Sequence, residues 1–247
     1  MVSLQCIFFI VSFASVTAIT DLPSHFPRCR RTDPNLEQCL LTATETVRPD
    51  MIEGVPDLFV SVVNFTVPRI QMEQGTRAVN YKASFENLKL LGLEKYKFTQ
   101  YRFNVANKSF DIKVDLPYIH LSGQYILEGN ILLAPIRGKG IFYVNLTDAS
   151  CTIFHTVEIY NRNGVEFLRP MITIPKMDVG KVVDYGFTGL FRENKELEKV
   201  TKSIISKNLD VIIDEFTPAI EKVLGQMFDD LIFKPLTKIP YEKLYPK

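Results

Sequence analysis

The chain is 247 residues long, 46% of them hydrophobic, with 29 basic and 28 acidic side chains and a formal net charge of +1. That apolar content excludes an intrinsically disordered chain, and the scattered, balanced charge excludes a nucleic-acid reader, which needs a basic stripe. Beyond the N-terminus no segment approaches the roughly twenty consecutive apolar residues of a membrane-spanning helix, so no integral membrane segment is expected.

Residues 1–18 contain no Asp, Glu, Lys or Arg, and an apolar run from Ile7 to Val16 leads into the small residues Val16-Thr17-Ala18. This reads as a cleaved secretory signal peptide, and residues 19–247 as one secreted, extracellular domain. Cys6 leaves with the signal. Cys29 and Cys39 could then close a short loop in an oxidising compartment, stabilising the fold by about 2–3 kcal/mol. Cys151 is left over, in a strand-like segment that predicts a buried free thiol. Three glycosylation sequons stand at Asn64, Asn107 and Asn145.

Asp33-Pro34 predicts a helix start, with Leu36, Leu40, Ala43 and Val47 at helical spacing and Pro49 as the stop. From Phe59 to about Val183 the period becomes two. Phe110, Ile112, Val114 and Leu116 alternate with Asp111, Lys113 and Asp115, and Ile119, Leu121, Tyr125, Leu127, Ile131 and Leu133 continue such a face. Gly123 and Gly129 predict bulges or bends, and the slip of phase between Tyr96-Phe98 and Tyr101-Phe103-Val105 predicts another. Asn107-Lys108 and Asn163-Gly164 predict hairpin turns. From Asn194 to Phe233 a three-four spacing that includes Leu197, Val200, Ile204, Leu209, Ile212, Phe216, Ile220, Leu224 and Leu231 predicts one long apolar helix. Pro218 should kink it, or restart it with Thr217 as cap, and Pro235 should end it. The fold class is therefore α+β, a long C-terminal helix wrapped by a highly curved antiparallel sheet that buries most of its circumference. Incomplete filling between the two would leave an elongated apolar tunnel.

Little points to catalysis. His25, His120 and His155 lack ligand spacing, and no H-E-x-x-H, G-x-S-x-G or C-x-x-C occurs. Gly138-Lys139-Gly140 reads as a turn between strands, and Asp229-Asp230 as a solvated helix face. No enzyme activity, metal or cofactor is expected.

PRCRRTDPNLEQCL with its Cys29 and Cys39, Gly54-Val55-Pro56, Val67-Pro68-Arg69-Ile70, Gly138-Lys139-Gly140, the ELEKVTKSIISKNLDVIIDEFTPAIEKVL helix and the IFKPLTKIPYEKLYP tail together resemble the takeout and haemolymph juvenile-hormone-binding protein family of insects. The resemblance implies the tubular lipid-binding fold. It also implies a non-catalytic carrier whose internal tunnel takes juvenile hormone, another terpenoid or a fatty-acyl lipid, handed to an unidentified receptor or acceptor protein. The hormone carriers have a second disulfide, for which Cys151 has no partner, so the chain lies nearer the takeout branch. Where the carriers place a tyrosine that bonds the hormone's epoxide, ungapped matching puts Phe142, which cannot donate. A glycan on Asn145 would require that side chain to face solvent, and strand alternation then turns Phe142, Val144 and Leu146 inward and Ile141 and Tyr143 outward. Tyr125, Leu127, Phe142 and Val144 on the sheet, with Phe216 and Ile220 on the helix, are the expected ligand-binding residues. The rival readings are a secreted signalling or scaffold protein with a vestigial tunnel, and a secreted hydrolase.

Overall fold

The computed structural model describes residues 21–75, 79–131, 134–189, 200, 203 and 205–247. The signal-peptide reading of residues 1–18 and the pattern positions Leu133, Asn194, Leu197 and Ile204 lie outside them. The described residues form one antiparallel sheet of seven strands: β1 Phe65–Gly75, β2 Val79–Leu91, β3 Lys97–Asn104, β4 Ser109–Ile131, β5 Ala134–Arg162, β6 Val165–Asp178 and β7 Lys181–Phe187. Helices α1 (Leu36–Thr46) and α2 (Arg48–Glu53) precede the sheet, and α3 (Leu209–Phe228) and α4 (Tyr241–Leu244) follow it.

β4 and β5 are the spine. They pair from Ser109–Thr156 to Ile131–Ala134, roughly 75 Å at 3.3 Å per residue. The other strands divide along it. β3 and β6 flank one half, through Lys97–Asp115 and Ser150–Asp178. β2, β1 and β7 flank the other, through Leu91–His120, Leu90–Phe65 and Phe142–Phe187. The halves meet at Pro117, which stands opposite Asp148. Pro117 has no N–H for the ladder, and Asp148 takes a left-handed φ of 57°. Inward parity changes here on both strands. Phe110, Ile112 and Val114 are buried before the joint and Ile119 and Tyr125 after it, while Phe142 and Leu146 give way to Ala149, Cys151 and Ile153. A spine of two long strands thereby turns a new face to the core at its midpoint.

Bulges are present at the β3 phase slip and beside Gly123, whereas Gly129 keeps register with both neighbouring strands. β3 slips register between Phe98 and Gln100, and β2 between Glu86 and Lys89, where Asn87 (φ 51°) and Leu88 stand across from Gly123. Asn163 and Gly164, with φ of 54° and 82°, form the β5–β6 hairpin, and Lys108 (φ 54°) closes the β3–β4 turn. Gly138-Lys139-Gly140 is not a turn. It lies inside β5, where Gly140 admits a close crossing of the chain, since a Cβ there would sit 2.0 Å from the Thr188 carbonyl oxygen.

The helices also differ from expectation. α1 starts at Leu36, with Asn35 at its N-cap, because Asp33 makes a turn instead, its carboxylate accepting from Asn35 N–H and its carbonyl from Leu36 N–H. Pro49 stops nothing. It sits in the first turn of α2, where a missing N–H costs nothing, and Gly54 ends that helix. The C-terminal helix does not run unbroken from Asn194. A turn at Asn208 interrupts it, and Val200, expected on the buried stripe, is 56% exposed. α3 then runs through Pro218 without restarting, about 30 Å long. Thr217 is not a cap, since its hydroxyl donates to the Ile213 carbonyl a turn earlier. After Phe228 the coil continues as a π-helical turn, Asp229–Phe233, and Pro235 opens one more helical turn rather than ending the run.

α3 packs against β6 and β1. Gly225 permits close approach, a Cβ there meeting Pro175 and the Thr173 carbonyl at 3.4 Å. One turn away the Glu221 carboxylate accepts from Met177 N–H (3.0 Å) and pairs with Lys176 (2.8 Å), so the helix caps the outer edge of β6.

Candidate ligand-binding site

Two separate apolar clusters fill the inner face, one in each half of the sheet. The half beyond Pro117 holds Tyr81, Ala83, Leu88, Tyr125, Ile136 and Phe142, with Phe85, Leu121, Leu127, Val144, Phe187, Ile205, Ile212 and Phe216 packed against them. Strand alternation sets the wall. Phe142 is 6% exposed, whereas Ile141 and Tyr143 on the outer face are 61% and 37% exposed. Gly123 stands opposite Phe142, and across this gap the Phe142 ring meets Phe85 edge-on at 5.2 Å. Tyr125 and Phe187 complete an aromatic group around Phe142, at 6.3 and 6.2 Å. From the helix, Phe216 stacks on Tyr81 at 4.3 Å. Of the six expected ligand-binding residues, this cluster brings together Tyr125, Leu127, Phe142, Val144 and Phe216; Ile220 is half-buried farther along α3 and joins neither cluster.

Polarity here is sparse. Among the described residues no carboxylate, amine or guanidinium side chain is buried, and the buried imidazole, His155, lies in the other half of the sheet. The Tyr125 hydroxyl donates to the Thr188 carbonyl at 2.9 Å, and burial pushes its pKa up to about 12. Tyr81 is fully buried, and burial likewise pushes its phenol to about 12. Its inward position was readable from the period-two pattern, but nothing in one strand's sequence marks a hydroxyl that the fold will isolate. Several members of this cluster remain only half-buried, among them Leu127, Val144, Ile212 and Phe216.

The other half is locked differently. Cys29 and Cys39 are bridged, and Cys151 is a buried free thiol whose pKa burial raises to about 11. Phe103 stacks on Phe110 at 4.2 Å beneath Tyr245. Arg28 donates to the Lys243 carbonyl, Arg31 pairs with Glu242 at 2.7 Å, and Arg31 N–H donates to the Pro246 carbonyl at 2.8 Å, tying the N-terminal arm to the C-terminal tail.

A His–Thr–Asp string also lies in this half. His155, 1% exposed, stacks on Phe233 at 3.6 Å, with its Nδ1 2.8 Å from the Thr173 hydroxyl. Thr173 in turn donates to Asp229, which is therefore not on the solvated face expected for Asp229-Asp230; only Asp230 is exposed, paired with Lys234. A carboxylate can only accept, so the single Thr173 proton goes to Asp229 and His155 Nδ1 must be the donor. The imidazole donates a hydrogen bond to this hydroxyl and does not accept one from it. Burial holds its pKa down at about 4, keeping it neutral. This is a tether for the π-helical turn, not an activated nucleophile.

The sequons differ in setting. Asn64 and Asn107 lie on exposed turns, whereas Asn145 is half-buried in β5, its carboxamide oxygen 2.6 Å from His120 Nδ1 and accepting from the Tyr118 hydroxyl at 3.3 Å.

A bent antiparallel sheet that holds an uncharged apolar lining against a long helix defines the class, an α+β binding fold. The chain belongs to the family described as "Haemolymph juvenile hormone binding protein (JHBP)", whose sequence profile matches residues 6–246. The family is one of binding proteins for small hydrophobic ligands, not of enzymes. The chain is 22% identical over 243 residues to the "Circadian clock-controlled protein daywake" of Drosophila melanogaster, covering 94% of this chain and 91% of that one. It is 19% identical over 218 residues to a Schistocerca gregaria protein named "Putative beta-carotene-binding protein", covering 86% and 85%. The crystal structure of Epiphyas postvittana Takeout 1 shares the fold, with a TM-score of 0.74 and 22% identity over 90% of this chain and all of that one.

Proposed function

We propose that the chain is a secreted, non-catalytic carrier, a single domain over residues 19–247, that holds a small hydrophobic ligand between α3 and the inner face of the sheet half beyond Pro117. The ligand is of terpenoid or fatty-acyl type, the class that includes juvenile hormone. The observation that carries this reading is the set of apolar side chains packed in the far-half cluster, Leu127, Val144, Ile212 and Phe216, that remain half-buried. Apolar surface turned inward and still accessible is the lining that an unfilled tunnel leaves. Against an apolar wall, affinity comes from desolvation. At about 25 cal/mol per Å², a few hundred Å² of buried lipid supplies several kcal/mol before the costs of ordering. The name of the Schistocerca gregaria relative, which assigns it a long polyene, is in keeping with such a lining. Phe142 makes an epoxide-specific bond at its position chemically unavailable, which favours a broader ligand class.

Native mass spectrometry of the secreted protein after gentle purification tests the proposal. A mass increment that solvent extraction removes, and that is identified as an apolar lipid, is the expected result. Protein that is uniformly empty and takes up no added terpenoid or fatty-acyl lipid would refute it in favour of a signalling or scaffold role.

A further inference from the structure

Asn145 is the one sequon asparagine of the three that lies within a strand. It stands half-buried on the outer face of β5, paired with His120 of β4 on one side and with Asp184 of β7 on the other. Three rings share its face. Tyr143, two residues before it, is 37% exposed, and its ring lies over Gly186 of β7, where a Cβ would sit 2.5 Å from the ring's Cε1. The His120 ring runs nearly parallel to that of Tyr143, 6.4 Å away, and Tyr118, also 37% exposed, closes the group on the β4 side.

Both hydrogen bonds of the Asn145 side chain end on Oδ1. An amide oxygen only accepts, so His120 Nδ1 donates at 2.6 Å and the Tyr118 hydroxyl donates at 3.3 Å. They hold the planar carboxamide with its oxygen toward β4. Nδ2 takes part in neither bond and is therefore turned away from β4, on the side of β7 and the Tyr143 ring.

We propose that Asn145 is an occupied N-glycosylation site, and that its first N-acetylglucosamine is received on this aromatic shelf with its C–H face against the Tyr143 ring. The proposal rests on the secreted reading. In the transfer, Nδ2 forms a bond to the anomeric carbon of the sugar and gives up one of its two protons to the transferase. The bond from that carbon to a polyprenyl diphosphate breaks, and the diphosphate leaves with the electron pair. The step falls on the chain before it folds, so the later pairing of β5 with β4 and β7 is no obstacle. Oδ1 is untouched by it, and the bonds from His120 and Tyr118 then fix the direction in which the sugar leaves the sheet. A glycan must stay at the surface. An exposed phenol ring that already lies over glycine backbone gives the apolar face of a pyranose something to cover.

The test uses the full chain expressed in insect cells and recovered from the medium. Peptide mass mapping should find Asn145 glycosylated. Thr147→Ala removes the sequon yet keeps Asn145 and its two bonds, and so supplies a sugar-free background in the same host. Tyr143→Ala should lower the melting temperature by roughly 2–4 °C more in the glycosylated protein than in the Thr147→Ala background, the scale of one added contact in a chain of this length. Tyr143→Phe, which keeps the ring, should show no such difference. An unmodified Asn145 in secreted protein would overturn the proposal and leave secretion standing, whereas a chain retained in the cells would overturn both. Equal losses for Tyr143→Ala in the two backgrounds would overturn the shelf.

Discussion

The two halves of the spine share β4 and β5 but are held in different ways. On the Cys29–Cys39 side, a disulfide, a stacked Phe103–Phe110 pair, the tie between the termini and the His155–Thr173–Asp229 string fix the interior. On the far side the wall is aromatic and aliphatic, sparsely bonded and partly open. On the proposed carrier reading, stability and binding fall to opposite ends of one sheet, and a change at one end should spare the property of the other.

The sharpest break of that division is Phe110→Ala, which should cost about 3–5 kcal/mol by cavity formation. Urea denaturation reads it, and ligand displacement by the folded fraction should be unchanged. Next comes pH. His155 has a pKa of 6.5 when free and about 4 when folded, because burial disfavours its charged form more than nearby Asp229 favours it. The unfolded chain therefore binds the extra proton first. Stability should be level above pH 6.5, fall by about 3 kcal/mol between pH 6.5 and 4, and lose nothing further from this group below that. The urea midpoint of His155→Gln, followed over the same range, should lack that component; an identical drop in the variant would place the cause elsewhere.

Replacing Cys29 and Cys39 together by serine should cost about 2–3 kcal/mol, read in the same way, with lipid binding kept at temperatures where the variant is folded. The smallest effect on stability is expected at the wall. Leu127→Ala should lower stability by about 1–2 kcal/mol, below the usual range for a fully packed leucine, because part of its surface already faces open space. It should weaken ligand displacement, as should Phe142→Ala, whereas Tyr143→Phe on the outer face should not. Weaker binding in the Tyr143 variant alone would mean that the inner and outer faces of β5 are reversed.

Much of this was readable from local pattern. Alternation over Phe110–Leu116 announced β4, the phase slip near Phe98 announced a bulge, and Gly123 marked another. The three-four spacing announced α3, and the inner wall around Phe142 follows from counting by twos. What escaped depends on partners distant in sequence. Pro117 becomes a joint only because Asp148 stands opposite it, and Gly140 lies within a strand because Thr188 crosses there. Asp229 is drawn from solvent by Thr173. The isolation of the Tyr81 hydroxyl likewise requires β2, β4 and α3 to be assembled first.

The contact between Glu221 and β6 also bears on the fate of the protein in crowded fluid. β6 is an outer strand, and its Met177 N–H would otherwise be available to any extended chain that came alongside. Exposed strand edges of this kind are templates for intermolecular pairing and aggregation. By occupying that donor with a carboxylate that also pairs with Lys176, α3 withdraws this point of the edge from such pairing. The helix that packs on β6 and β1 therefore also covers part of the sheet's exposed edge.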